Sequence, residues 1–122
     1  MTLLRDDNEH PIPPELRHTF AQVADAFADG DFSLASRPIA HVDPIDGNTA
    51  RHIRACVDAY GAQLVTLDDV TWERSCYRFY DGHWIALIDL STSEEAVSDL
   101  TLHARIDSEP KLRIRIESVH VP

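Results

Sequence analysis

The sequence is poor in several residue types. Among 122 residues there are one Lys, one Met, two Cys and four Gly. Two cysteines, Cys56 and Cys76, are too few for the disulfide framework of a secreted miniprotein. Both read as small buried hydrophobes, with a redox pair as the second reading. No stretch approaches the roughly 18 apolar residues of a membrane span. The first residues, MTLLRDDNEHPIPPE, have neither the basic nor the apolar region of a secretory signal. A cytoplasmic chain is therefore expected. The seven His stand at 10, 18, 41, 52, 83, 103 and 120; no two share an i,i+4 spacing, and neither HExxH nor CxxC occurs. Asp43-Pro44-Ile45-Asp46-Gly47-Asn48 bears a faint likeness to a calcium loop but lacks its alternating acids and its closing Glu. GxSxG is missing, and glycines scattered at 30, 47, 61 and 82 build no phosphate cradle. No catalytic residue, metal or cofactor is expected.

Acid is what the chain has in excess. Twenty-one Asp and Glu face eleven Lys and Arg, a net charge of -10. Nucleic acid and anionic membranes are disfavoured as partners, because both repel such a chain. A basic protein or a cationic ligand is favoured; the plainer reading of the charge is solubility. Protonating all seven His would take the net charge from -10 to -3, so colloidal behaviour should change steeply near pH 6. A hydrophobic content of 43% and 26% charged residues suit one ordinary globular domain.

Periodicity supplies the architecture. Residues 1–13 are polar and proline-rich and predict an irregular, partly mobile arm; 14–122 form a single domain. Pro14 suits the first helical position. Leu16, Phe20, Val23, Ala24 and Phe27 form one helical stripe over 14–28, ended by Gly30. Residues 29–47 read as an ordered connection. A second helix follows, capped by Asn48 or Thr49, with Ile53, Cys56, Val57 and Tyr60 on one face and Gly61 after its end. The period then changes to two. Short strands are expected at Gln63–Leu67 and Ser75–Tyr80, and a longer one at His83–Leu90, apolar on both faces and hence covered on both sides or curled into the sheet. Asp81-Gly82 predicts a two-residue hairpin loop with Tyr80 opposite His83 and Phe79 opposite Trp84.

Residues 98–107 and 112–121 alternate, with Leu100, Leu102, Ala104, Ile106, Leu112, Ile114 and Ile116 inside. A shared inner face requires an odd-length connection. Ser108-Glu109-Pro110 satisfies this and sets Arg105 opposite Arg113 and His103 opposite Arg115. Val119 and Val121 change parity, which predicts a bulge near Glu117-Ser118. The sum is an α+β fold, two N-terminal helices packed on a four- to five-stranded antiparallel meander.

Three features are candidate partner-binding sites. The run Ser91 to Asp99 carries Glu94, Glu95 and Asp99, a negative patch for a basic partner. Trp72 stands in a polar context as a surface anchor, whereas Phe79 and Trp84 read as hairpin packing. Arg105, Arg113 and Arg115 form a like-charged stripe. Nearby acids, a second copy in a homodimer, or a carboxylate or phosphate ligand would compensate it.

Trp84-Ile85-Ala86-Leu87-Ile88-Asp89-Leu90 followed by Ser98-Asp99-Leu100-Thr101-Leu102 resembles a family of small bacterial domains of unknown function. The likeness runs from Ala26 to the C-terminus and implies no named site. By analogy, such domains resemble the acidic immunity proteins of polymorphic toxin systems. Ala28-Asp29-Gly30-Asp31-Phe32 also resembles the first helix end of the nuclear-transport-factor-2-like superfamily, which implies a cone-shaped pocket and an isomerase, dehydratase or ligand-binding role. Two functions are thus expected as alternatives: a non-catalytic acidic protein-binding domain, with an immunity-type inhibitor of a basic toxin domain as its concrete form, or a small α+β pocket protein.

Overall fold

A computed structural model describes all of residues 1–122. Helix α1 spans Pro14–Ala28 with Pro at its first turn. It buries the stripe of Leu16, Phe20, Val23 and Phe27 together with Ala24 and Ala26. Gly30, at φ 85°, follows its end in the left-handed conformation that glycine tolerates best. Helix α2 spans Gly47–Tyr60 and buries Ile53 and Val57. Its N-cap is Asp46, not Asn48 or Thr49: the Asp46 carboxylate accepts from the Thr49 backbone N–H at 2.9 Å and its hydroxyl at 3.0 Å. Asp ranks with Asn and Ser as a cap and here also faces the positive end of the helix dipole. Those bonds hold its carboxyl below the usual aspartate range.

Five strands form one antiparallel sheet in chain order: β1 His10–Pro11, β2 Cys76–Tyr80, β3 His83–Asp89, β4 Thr101–Asp107 and β5 Arg113–His120. The α+β architecture is as the sequence predicts, with one strand exchanged. Gln63–Leu67 is not a strand: Leu64 makes only an isolated bridge to Thr92, and Val65 N–H donates to the Ser91 carbonyl. The outer edge of β2 is taken by the N-terminal segment, where His10 pairs with Tyr77 and Pro11 with Cys76. Pro11 has no N–H to donate, which suits a two-residue edge strand. The segment is irregular before His10 but anchored, with Leu3 and Ile12 buried and the Trp84 indole N–H donating to the Leu4 carbonyl at 2.9 Å.

The β2–β3 hairpin has the predicted register, Tyr80 against His83, Phe79 against Trp84 and Tyr77 against Ala86. Asp81 and Gly82 take positive φ of 50° and 86°, as a type I′ turn requires. The β4–β5 connection keeps the odd parity but is two residues longer than predicted, running 108–112. Arg105 therefore faces Arg115, Arg113 faces Asp107, and His103 faces Ser118. Parity alone permits three or five residues. A tertiary contact accompanies the longer loop: Ile114 donates to the His41 carbonyl and accepts from Asp43 N–H, which adds residues 41–43 to the outer edge of β5. The bulge falls where expected, since His103 pairs with Ser118 and Ala104 with Ile116, leaving Glu117 as the extra residue.

One core joins both helices to the inner sheet face. Trp84, Ala86 and Ile88 of β3, Leu102, Ala104 and Ile106 of β4, and Ile114, Ile116 and Val119 of β5 pack in a single cluster with the helix stripes. Residues 29–46 are irregular but ordered by the same means, burying Phe32, Leu34, Ile39 and Ile45. The opposite sheet face has no second layer. Ile85 and Leu87, expected to be covered by a second layer or enclosed by a curled sheet, are half-buried, and Ile85 is flanked in register by Arg78 and Arg105. Long arginine stems shield part of such apolar surface while their heads stay hydrated.

Candidate partner-binding surfaces

The acidic segment is built on a buried hydroxyl scaffold. Ser91, Thr92 and Ser98 are buried although their neighbours Glu94, Glu95 and Asp99 are exposed. Ser98 hydroxyl donates to the Leu90 carbonyl at 2.6 Å and accepts from Leu100 N–H at 3.1 Å. Ser91 hydroxyl donates to the Ala96 carbonyl at 2.6 Å and accepts from Asp68 N–H at 2.9 Å. Thr92 caps the turn by accepting from Glu95 N–H at 3.1 Å. Short side chains of this kind satisfy buried backbone groups where no ladder can reach them.

The same scaffold fastens residues 61–75 to 91–99. Ser93 N–H donates to the Gln63 carbonyl and Val65 N–H to the Ser91 carbonyl. Thr71 hydroxyl donates to the Asp89 carbonyl, and Ser75 hydroxyl accepts from Asp89 N–H at 3.2 Å. Tyr60, closing α2, donates its hydroxyl to Glu95 and accepts from Asp99 N–H at 3.2 Å. The Glu95 bond pushes the Tyr60 phenol above its ordinary value. One end of the molecule thus gathers Asp68, Asp69, Glu73, Glu94, Glu95 and Asp99, with Arg74 the one cation of those two segments.

Trp72 belongs to this end, on a 3-10 turn over Asp69–Glu73. It is half-buried, with the Arg17 guanidinium of α1 5.7 Å from its ring centroid. It serves as packing between the turn and α1 as well as surface.

The arginine stripe lies at the far end of the sheet. Arg105 binds Asp107 at 3.1 Å and Arg113 binds Asp43 at 2.8 Å. These acids are the compensation for like charges that face one another across β4 and β5. The Arg105 pair holds the Asp107 carboxyl below the aspartate range and raises the guanidinium further. Arg115 has no such partner. The three arginines share with Lys111, His41 and Asp107 an open cleft of about 790 Å³. The acidic run and the arginine stripe are therefore two surfaces, not one site. Between them, on the uncovered face, His103 and His120 approach with ring centroids 6.2 Å apart. Partial burial lowers the His103 pKa, opposed by Glu117 and helped by His120 and His83.

The clefts around the arginine stripe, the N-terminal segment and Trp72 are open to solvent, and the inner sheet face is occupied by the core. No group of three or more His, Cys, Asp or Glu is placed to hold a metal ion, and no helix is long and apolar enough to cross a membrane. The hydroxyl scaffold is what the sequence reading missed. Its signal was Ser and Thr at the margins of apolar runs, in Leu90-Ser91-Thr92 and Ser98-Asp99-Leu100, which reads equally well as an ordinary loop.

A family model described as a domain of unknown function, DUF7668, matches residues 24–122. The match takes in everything from the middle of α1 to the C-terminus and omits the arm and β1. No curated protein and no solved structure matches the chain.

Proposed function

We propose that this chain, which belongs to the DUF7668 family of domains of unknown function, is a non-catalytic binding domain that presents its acidic end to a basic protein partner. An immunity-type inhibitor of a basic toxin domain is the concrete form of this reading. The observation that carries it is the hydrogen-bonded union of segments 61–75 and 91–99, which displays six carboxylates around a rigid base. The base stabilises the fold in its own right by satisfying buried backbone groups; it also fixes these segments in advance, which lowers the entropy cost of association for a recognition surface. The segments also carry a large part of the net charge, so they would steer a basic partner towards that end.

The test is the triple change Glu94→Ser, Glu95→Ser, Asp99→Ser. All three sites are exposed, so Glu94→Ser and Asp99→Ser should each cost within ~0.5 kcal/mol, while Glu95→Ser also removes the acceptor of the Tyr60 hydroxyl, worth ~1 kcal/mol, and the variant should remain folded. A basic protein co-purified with wild type should associate about tenfold more slowly with the triple variant at low salt, and added salt should slow wild type towards it. Association indifferent to both the substitutions and the salt would sink the proposal.

A further inference from the structure

The eleven cationic side chains are not equally occupied. Arg37, Arg74, Arg105 and Arg113 are ion-paired. Arg5, Arg17 and Arg54 lie against aromatic rings, and Arg51 donates to Asn48. Arg78, Lys111 and Arg115 have none of these, in a chain with ten more acids than bases. Their positions are related. Arg78 pairs in register with Ile85, Ile85 with Arg105, and Arg105 with Arg115. A single row therefore crosses the whole uncovered face as Arg, Ile, Arg, Arg. Strands ~4.8 Å apart place the last two arginines within reach of one carboxylate and Arg78 about 10 Å from Arg105. Lys111 and Arg113 extend the charge past the end of the row, in the cleft at the β4–β5 loop. The acids near the row are Asp107, bound to Arg105 and also felt by Arg115, Asp81 and Glu117 acting on Arg105 from further away, and Glu9, which bonds Cys76 two residues from Arg78 on the same face of β2.

We infer that this face docks an acidic segment of a partner protein, its carboxylates bridging Arg105 and Arg115 and reaching Arg78, with Ile85 and the exposed Tyr80 beneath. Arginine and tyrosine are the residue types that most often anchor protein interfaces, and the guanidinium fork binds carboxylate bidentately. A protein segment fits better than a nucleic acid. A short acidic stretch can end with the face, whereas a continuing phosphate backbone would run on over the rest of a chain whose net charge is -10. The site is separate from the acidic end and opposite to it in sign, so it does not rest on that surface being used.

The probe is a fluorescent Asp/Glu-rich peptide, followed by anisotropy at low and moderate salt. Wild type should bind it, with affinity falling as salt rises. Arg78→Glu with Arg115→Glu should weaken binding at least tenfold. Arg37→Glu with Arg51→Glu, the same change of net charge elsewhere on the surface, should leave it within about twofold. Arg78→Lys with Arg115→Lys should fall between, because charge is kept and the fork is lost. Circular dichroism checks that each variant is folded, and the Glu94/Glu95/Asp99 triple variant should bind the peptide no worse than wild type. Three results would overturn the inference: equal peptide binding by the Arg78/Arg115 charge reversal, a single-stranded oligonucleotide binding as tightly as the peptide, or a wild-type dimer in sedimentation that this reversal dissociates, which would make the face a contact between copies.

Discussion

Replacing Trp84 tests the packing and the anchoring of the N-terminal segment together. Its side chain is 4% exposed, and its ring meets Phe79 edge-on at 5.2 Å between centroids. The indole N–H donates to the Leu4 carbonyl, and the Arg5 guanidinium sits 5.0 Å from the ring centroid. Trp84→Ala removes a large buried ring from a core that closes over it, which costs ~3–5 kcal/mol. A domain of this size has roughly 5–15 kcal/mol in total, and each kcal/mol is worth about 3–5 °C in Tm. The variant should therefore melt about 10–20 °C lower or fail to fold at 37 °C. Trp84→Phe keeps most of the packing but loses the donor to Leu4 and the larger π face. It should cost ~1–2 kcal/mol, and residues 1–9 should become sensitive to protease while the rest stays folded. Urea unfolding followed by the remaining fluorophore, Trp72, gives the first number and limited proteolysis the second. An Ala variant with the wild-type urea midpoint would refute the packing argument, and a Phe variant with a protected N-terminus would refute the anchoring.

Ser98→Ala should cost ~1–3 kcal/mol, since it leaves the buried Leu100 N–H without an acceptor; a wild-type melting temperature would show that the hydroxyl is dispensable. His103, whose folded pKa lies below the unfolded one, binds protons more readily when unfolded, so stability should fall as pH drops through the unfolded pKa of about 6.5 towards the lower folded one. His103→Gln should flatten that part of the pH–stability curve. Calorimetry from pH 7.5 to 5.5 reads the difference, and equal slopes in variant and wild type would assign it to other groups.

The helices and the central hairpin were legible in the sequence because their signals are local. A proline at the first turn and apolar spacings of 3 and 4 define α1 over Pro14–Ala28, and only glycine-like conformations satisfy the Asp81-Gly82 turn. Parity works the same way: side chains alternate along a strand, so a change of inner face at Glu117 requires an extra residue wherever the partner strand lies. What parity leaves open is register in steps of two. The five-residue β4–β5 loop comes with a distant segment, 41–43, bonded to Ile114, and nothing local announces that pairing. The outer strand was exchanged for the same reason. His10–Pro11 and Gln63–Leu67 are both short and only modestly strand-like, and which one takes the β2 edge depends on where loop 91–99 draws the second. The candidate residues divide likewise. That Glu94, Glu95 and Asp99 are exposed follows from their charge, because burying unpaired carboxylates is prohibitive. That they share a platform with Asp68 and Glu73, and that Arg78 lines up with Arg105 and Arg115, came only with the tertiary structure, since cross-strand register and buried hydroxyl bonds join residues 10 to 37 positions apart.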